Sequence, residues 1–167
     1  MKKHIALSII FIALLTACER DDICIDPITP KLIIRFYDKD NPDEFKKAFK
    51  LKVQIEGIDG DYQNNTITEI TDSIAIPIKT AEDITKYTLT ITEVADDETT
   101  SELVDTFDLT YIHIDEFVSR SCGYKTVYHN TEIPSLSVTN SWINSIEIID
   151  DEQNILNEIS AHVKIFH

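Results

Sequence analysis

The sequence lacks the short motifs that mark common enzyme and metal sites. It contains no G-x-S-x-G or S-x-x-K segment, no C-x-x-C pair and no H-x-H or H-E-x-x-H segment. Ser119 stands beside Arg120, with His113 and His129 nearby in the sequence, but such residues are typical of exposed strand positions. We therefore predict a protein that is not an enzyme and that binds no metal and no cofactor.

Basic residues are scarce as well. Lys and Arg number 15 against 30 Asp and Glu, a net charge of −15. Residues 1–17 hold two lysines and no acid, so the chain from residue 18 onward carries a net charge of −17. Such a surface repels the phosphates of nucleic acids, and we expect no nucleic-acid partner. The acidic segments 38–44 and 59–65 could hold calcium, but Pro42 and a missing glycine break the EF-hand pattern in the first, and we interpret both as solvated turns.

No apolar run reaches the length of about twenty residues that a membrane-spanning helix needs. The run at positions 5–15 is shorter, follows two lysines and precedes Thr16 and Ala17, which is typical of a secretory signal peptide. The segment Leu15–Cys18 resembles a bacterial lipobox. The resemblance implies that residues 1–17 are removed and that Cys18, the new N-terminus, is acylated by chains such as palmitate.

Acylation of Cys18 predicts a membrane anchor without a membrane span, because two or more acyl chains hold a protein stably in a bilayer. The acidic residues at positions 19–22 resemble an export tag on surface lipoproteins of Gram-negative gut commensals. We expect an outer-membrane lipoprotein with an outer-membrane protein as a partner. Both the cell surface and the periplasmic face remain open as locations.

The chain contains two further cysteines, Cys24 and Cys122. In an exported and oxidising setting an even pair predicts a disulfide bond. Two buried free thiols and a metal site are the alternatives, and the missing C-x-x-C spacing disfavours zinc.

Apolar residues alternate with polar ones along most of the chain, which predicts β-strands. We expect an all-β fold, an immunoglobulin-like β-sandwich of seven or eight strands, with a small barrel as the alternative. Residues 18–30 are expected to form the acylated tether, and residues 31–167 a single domain. The predicted strands lie at 32–37, 51–56, 74–78, 87–92, 103–112, 117–129, 142–149 and 159–166.

One segment, residues 41–48, predicts a short helix. Asn41 is a suitable cap, Pro42 suits the first helical position, and acids precede lysines along the segment. At most two turns fit.

The late segments Phe117–Arg120 and Cys122–Tyr124, together with the early Cys24, resemble an uncharacterised family of Gram-negative lipoproteins. The resemblance covers most of the chain after residue 17. It implies a lipid-anchored β domain with a Cys24–Cys122 bond, and it implies no catalytic residues.

Sugar binding is the alternative function, since exposed aromatic rings stack on sugars. The expected ligand contacts are Tyr62, Tyr124, Tyr128 and Trp142, although a lone tryptophan such as Trp142 commonly fills the core of a sandwich. Ser73, in the segment Asp72–Ile74, resembles a short O-glycosylation acceptor of exported proteins and is a candidate modification site.

Overall fold

The computed structural model describes residues 24, 29–57, 65–66, 71–94, 99–139, 141–149 and 153–167, and it leaves out the side chains of 65, 66, 94 and 137–139. The predicted signal peptide and Cys18 lie outside these residues. Nine strands are described: β1 (Leu32–Tyr37), β2 (Lys52–Ile55), β3 (Asn65–Thr66), β4 (Ser73–Ile76), β5 (Ile84–Val94), β6 (Thr100–Ser119), β7 (Gly123–Thr139), β8 (Ser145–Ile148) and β9 (Val163–Phe166).

The strands form two sheets. One has the order β4-β1-β9-β8 and the other β3-β2-β5-β6-β7. All described strand pairs are antiparallel except the first and last strands, β1 and β9, which run parallel. The predicted β-sandwich is confirmed, and the two sheets do not close into the barrel that was its alternative.

Alternation along the strands places one set of side chains in the shared core. In β1, Leu32, Ile34 and Phe36 are buried, whereas their neighbours are half-buried on the other face. Because successive side chains of a strand point to opposite sides, this spacing was readable from the sequence. The same alternation buries every second residue of β2 and of the middle of β6.

The connection from β4 to β5 passes from one sheet to the other and is held by three buried tyrosines. Their hydroxyls donate hydrogen bonds to three successive backbone carbonyls: Tyr87 to Pro77, Tyr128 to Ile78 and Tyr111 to Lys79. The tyrosines come from β5, β6 and β7, so three neighbouring strands hold one crossing segment.

Strands β6 and β7 make a hairpin longer than the sequence predicted. The predicted strands 103–112 and 117–129 left residues 113–116 unassigned, but β6 continues through them to Ser119, and the turn lies at residues 120–122, inside the second predicted strand. The prediction failed because the alternation of buried and exposed side chains stops where the strands leave the core. The backbone pairing of the two strands continues as far as Ser119 and Gly123. Hydrogen bonds between backbones do not require a buried face.

The predicted helix at residues 41–48 is wrong. Phe45 and Ala48 instead pair with Tyr37 and Thr71 as isolated bridges, and the backbone N–H of Glu44 donates to the carbonyl of Asn41 in a turn. Tertiary pairing overrides local helix signals in a segment this short. No helix capable of spanning a membrane occurs within the described ranges.

Candidate functional site

A disulfide bond joins Cys24 to the turn of the long hairpin at Cys122. The two Cα atoms are 4.9 Å apart, and 98 positions separate the residues in sequence. The turn is ordered by Ser119, whose Oγ accepts a hydrogen bond from the N–H of Cys122 at 3.1 Å. Gly123 follows with a φ of +73°, a conformation that strongly favours glycine. The predicted pairing of the cysteines is therefore confirmed.

The chain that follows Cys24 is also attached to the hairpin at a second point. The N–H of Thr126 donates to Oγ1 of Thr29 at 2.9 Å, and the hydroxyl of Thr126 donates to the carboxylate of Asp115 at 2.7 Å. Cys24 is therefore attached to the turn of the hairpin, and Thr29 is attached to β7.

Beyond these contacts the hairpin carries an exposed pair of aromatic rings. Phe117 and Tyr124 are directly opposite each other across the two strands, with ring centroids 5.4 Å apart in an edge-to-face arrangement. Their side chains are 60% and 69% exposed. We call residues 116–125 the hairpin tip. Such a pair leaves apolar ring surface in contact with solvent at the end of the hairpin.

The serine and the two histidines considered as catalytic residues do not converge. His113 Nδ1 lies 2.8 Å from a carboxylate oxygen of Asp83, whereas His129 Nδ1 lies 3.1 Å from Oδ1 of Asn154. His113 pairs with Tyr128, one residue before His129, so the two histidines face opposite sides of the hairpin. Ser119 hydrogen-bonds instead within the turn.

The contact between Asp83 and His113 perturbs the acid. Hydrogen bonds from the backbone N–H and the ring of His113 lower the pKa of the Asp83 carboxyl below its ordinary value. Within the described ranges, no three His, Cys, Asp or Glu side chains lie close enough together to hold a metal ion.

A second feature, an open cleft of about 800 Å³, lies at the other end of the sandwich. Lys46 lies in this cleft, makes an ion pair with Asp38 at 3.6 Å and donates to the backbone carbonyl of His167 at 2.8 Å. Hydrogen bonds from the backbone N–H groups of Asp40 and Asn41, with Lys46 nearby, lower the pKa of the Asp38 carboxyl. Asp38, the first acid of the suggested calcium segment, therefore already has protein partners. The cleft is lined by Lys39, Lys46, Lys47, Phe49, Ile91, Thr92, Glu93, Ser101, Leu103, Ser141, Trp142 and His167.

The aromatic residues predicted to contact a sugar separate into three groups. Tyr128 is fully buried and offers no face for stacking, so this prediction is wrong. Trp142 is 8% exposed, belongs to the core and donates from its indole N–H to the carbonyl of Leu89, as expected of a core-filling tryptophan. Tyr124 remains exposed, and Tyr62 lies outside the described residues.

Ser73, the candidate glycosylation site, begins the edge strand β4. It is half-buried, and its N–H donates to Oγ1 of Thr71. Its modification stays a prediction.

One structurally important residue was missed. Asp105 is buried on the core-facing side of β6, in phase with Phe107 and Leu109. One of its carboxylate oxygens accepts the backbone N–H groups of Trp142 and Ile143, at 2.9 and 2.8 Å. The signal was available: an acid in phase with buried apolar residues indicates a buried carboxylate that needs partners.

Comparison with known proteins gives a family but no activity. Residues 51–167 match the model of a family of unknown function, DUF6452. Because the match covers most of the chain, the protein belongs to this family. No curated protein and no solved structure matches it.

Proposed function

We propose that this member of the DUF6452 family is a lipid-anchored lipoprotein of the outer membrane, and that its β-sandwich is a non-enzymatic accessory module that contacts another envelope protein. The observation that carries the proposal is the Cys24–Cys122 bond, because it leaves Cys18 as the one cysteine outside the disulfide and six positions before it. A disulfide of this kind is typical of exported proteins.

The lipobox-like segment supports the anchor. A cysteine at that position, after a basic start and an apolar run, is chemically suited to acylation, and the acyl chains bury their methylenes in the bilayer at about 0.8 kcal/mol each. The anchor keeps the sandwich at the membrane surface and makes a membrane-spanning segment unnecessary.

The module role is supported by the kinds of surface that the sandwich presents. His113, His129 and Ser119 have separate structural partners, so they do not supply a nucleophile, a base and an acid at one point. The long hairpin instead exposes apolar side chains on both of its faces, with Ile112 and Ile114 on one face and the pair Phe117 and Tyr124 on the other. Exposed apolar surface of this kind is characteristic of contact regions.

The anchor is tested by metabolic labelling with palmitate. We expect label on the natural chain and none on the Cys18→Ala variant, because the acylated sulfur is missing there. A Cys24→Ser/Cys122→Ser variant is the matched control and should be labelled like the natural chain. Equal labelling of the Cys18→Ala variant, or unlabelled native protein, would refute the anchor.

The partner is tested by cross-linking in intact envelopes. The acylated protein should cross-link to a distinct envelope protein, and an Ile112→Ser/Ile114→Ser variant should lose that product. Glycan binding is the competing function, and it relies on the exposed ring of Tyr124. Binding to a glycan array that disappears in a Tyr124→Ala variant, without any protein cross-link, would favour the competing function.

A further inference from the structure

Two aromatic pairs lie at opposite ends of the molecule, one with both rings exposed and one in which a single ring, that of Phe45, is exposed. Phe117 and Tyr124 form the pair on the hairpin tip, and Tyr37 and Phe45 form a second pair, with ring centroids 5.1 Å apart, near the cleft. The first residues of β6 line the cleft, whereas the tip lies at the end of this twenty-residue strand. At about 3.3 Å per residue, the two ends are separated by roughly 60 Å along the strand.

The disulfide determines which end lies close to the acylated residue. Six peptide units join Cys18 to Cys24, so their Cα atoms can be at most about 21 Å apart even when the chain is fully extended. The bond then adds 4.9 Å between the Cα atoms of Cys24 and Cys122. If Cys18 is held in the bilayer, the turn of the hairpin must lie within about 26 Å of it, whereas the cleft need not.

The charge of the hairpin tip suits the approach to a membrane. Residues 116–125 contain one acid, Glu116, and two bases, Arg120 and Lys125, for a net charge of +1. The rest of the chain after residue 17 is strongly acidic. The tip is therefore a part of the surface that anionic headgroups do not repel.

We propose that the hairpin tip is a membrane-contacting element, and that Phe117 and Tyr124 insert into the interfacial layer of the bilayer that holds the acyl chains of Cys18. The inference rests on the proposed lipid anchor. Aromatic side chains favour this layer because their rings are apolar, and the tyrosine hydroxyl also finds polar partners among the headgroups. The insertion gives the protein a second attachment to the membrane in addition to the acyl anchor. It also points the tip end of the hairpin toward the bilayer.

The test uses the acylated full-length protein in phosphatidylcholine vesicles that contain brominated lipids, which quench tryptophan emission on contact. The tryptophan of a Phe117→Trp variant should emit at shorter wavelength in vesicles than in a delipidated sample of the same variant in buffer. The brominated lipids should quench the emission that this tryptophan adds to that of Trp142. The matched control is Phe45→Trp, since Phe45 is 52% exposed and also belongs to an aromatic pair. Its emission should not be quenched, and neither should that of Trp142, which is present in all variants.

A Cys24→Ser/Cys122→Ser background tests the role of the disulfide. Without the bond the tip is free to leave the membrane, and the quenching of Trp at position 117 should decrease. Mass spectrometry of each sample separates the two proposals, because unlipidated protein contradicts the anchor itself. Lipidated protein with an unquenched Trp at position 117 refutes membrane insertion. If this tryptophan is shielded from solvent in intact envelopes but not in lipid vesicles, the tip binds a protein instead.

Discussion

At the scale of single residues, the most consequential side chain is the buried carboxylate of Asp105. It accepts two backbone N–H groups, those of Trp142 and Ile143, where the chain enters the sandwich again after β7. A buried N–H without an acceptor destabilises the folded state by the full free energy of its desolvation. Asp105 thus positions Trp142, which in turn contacts Phe36 and His167 in the core.

We expect Asp105→Ala to lower the free energy of unfolding by about 2–4 kcal/mol, because two buried N–H groups lose a charged acceptor. Urea denaturation followed by the fluorescence of Trp142 measures the change. Asp105→Asn retains an acceptor oxygen and should lose less. A midpoint for Asp105→Ala equal to that of the natural chain would contradict this role.

At the scale of secondary-structure elements, the three tyrosines that hold the β4–β5 connection form one network. The hydroxyl of Thr85 lies 2.7 Å from that of Tyr111 and accepts a hydrogen bond from the N–H of Lys79. Because Tyr111 in turn donates to the carbonyl of Lys79, both backbone groups of Lys79 have partners. Burial raises the pKa of all three phenols above the ordinary value, to about 12 for Tyr111.

These shifts predict a loss of stability in alkali. Above pH 10 the unfolded chain releases phenolic protons that the folded chain retains, so the free energy of unfolding falls as pH rises through the range from about 10 to 12 and beyond. Below pH 10 the phenols should contribute no pH dependence. Urea denaturation at a series of pH values measures the slope, and Tyr111→Phe should reduce it. A stability independent of pH between 10 and 12 would be inconsistent with the buried network.

The disulfide acts on the element scale as well, because it joins the N-terminal segment to the hairpin. Closure of a loop of 98 positions restricts the unfolded chain. Removal of the bond in Cys24→Ser/Cys122→Ser should therefore lower stability by about 2–4 kcal/mol. Thermal unfolding in comparison with the oxidised natural chain provides the measurement. Reduction of the natural chain should reproduce the effect, and an unchanged melting temperature would show that the bond does not contribute to stability.

At the scale of the whole molecule, charge is the dominant feature. The chain after residue 17 carries a net charge of −17, and folding brings these charges closer together. The described ion pairs Lys79–Glu82, Lys86–Glu56 and Lys125–Glu116 each include an exposed carboxylate, and such pairs contribute little.

We expect added sodium chloride to raise the melting temperature at pH 7, because the screening length falls from about 30 Å at 0.01 M salt to about 8 Å at 0.15 M. The control is the same titration at an acidic pH where the net charge approaches zero, at which the salt effect should disappear. A melting temperature that falls with salt at pH 7 would mean that attractive pairs outweigh the repulsion.

The sequence by itself determined the features that depend on local periodicity and on simple chemistry. The alternation at 32–37 and 51–56 predicted the strands and the buried faces of β1 and β2, because side chains alternate along any strand. The bond between residues 24 and 122 was predicted from the expected export of the chain and the expected acylation of Cys18, which leave an even pair of cysteines. For Trp142 the sequence offered two interpretations, a sugar contact and a side chain that fills the core, and the structure shows the second.

Only the tertiary structure decided which strands pair and where the hairpin ends. The parallel pairing of β1 with β9 joins residues about 130 positions apart, and no local pattern encodes such a contact. Burial of Tyr128 and the bridges at Phe45 and Ala48 likewise depend on distant segments that pack against them. The hairpin tip combines both levels: its residues could be read in the sequence, but the exposure of Phe117 and Tyr124 follows from a backbone ladder that continues past the core.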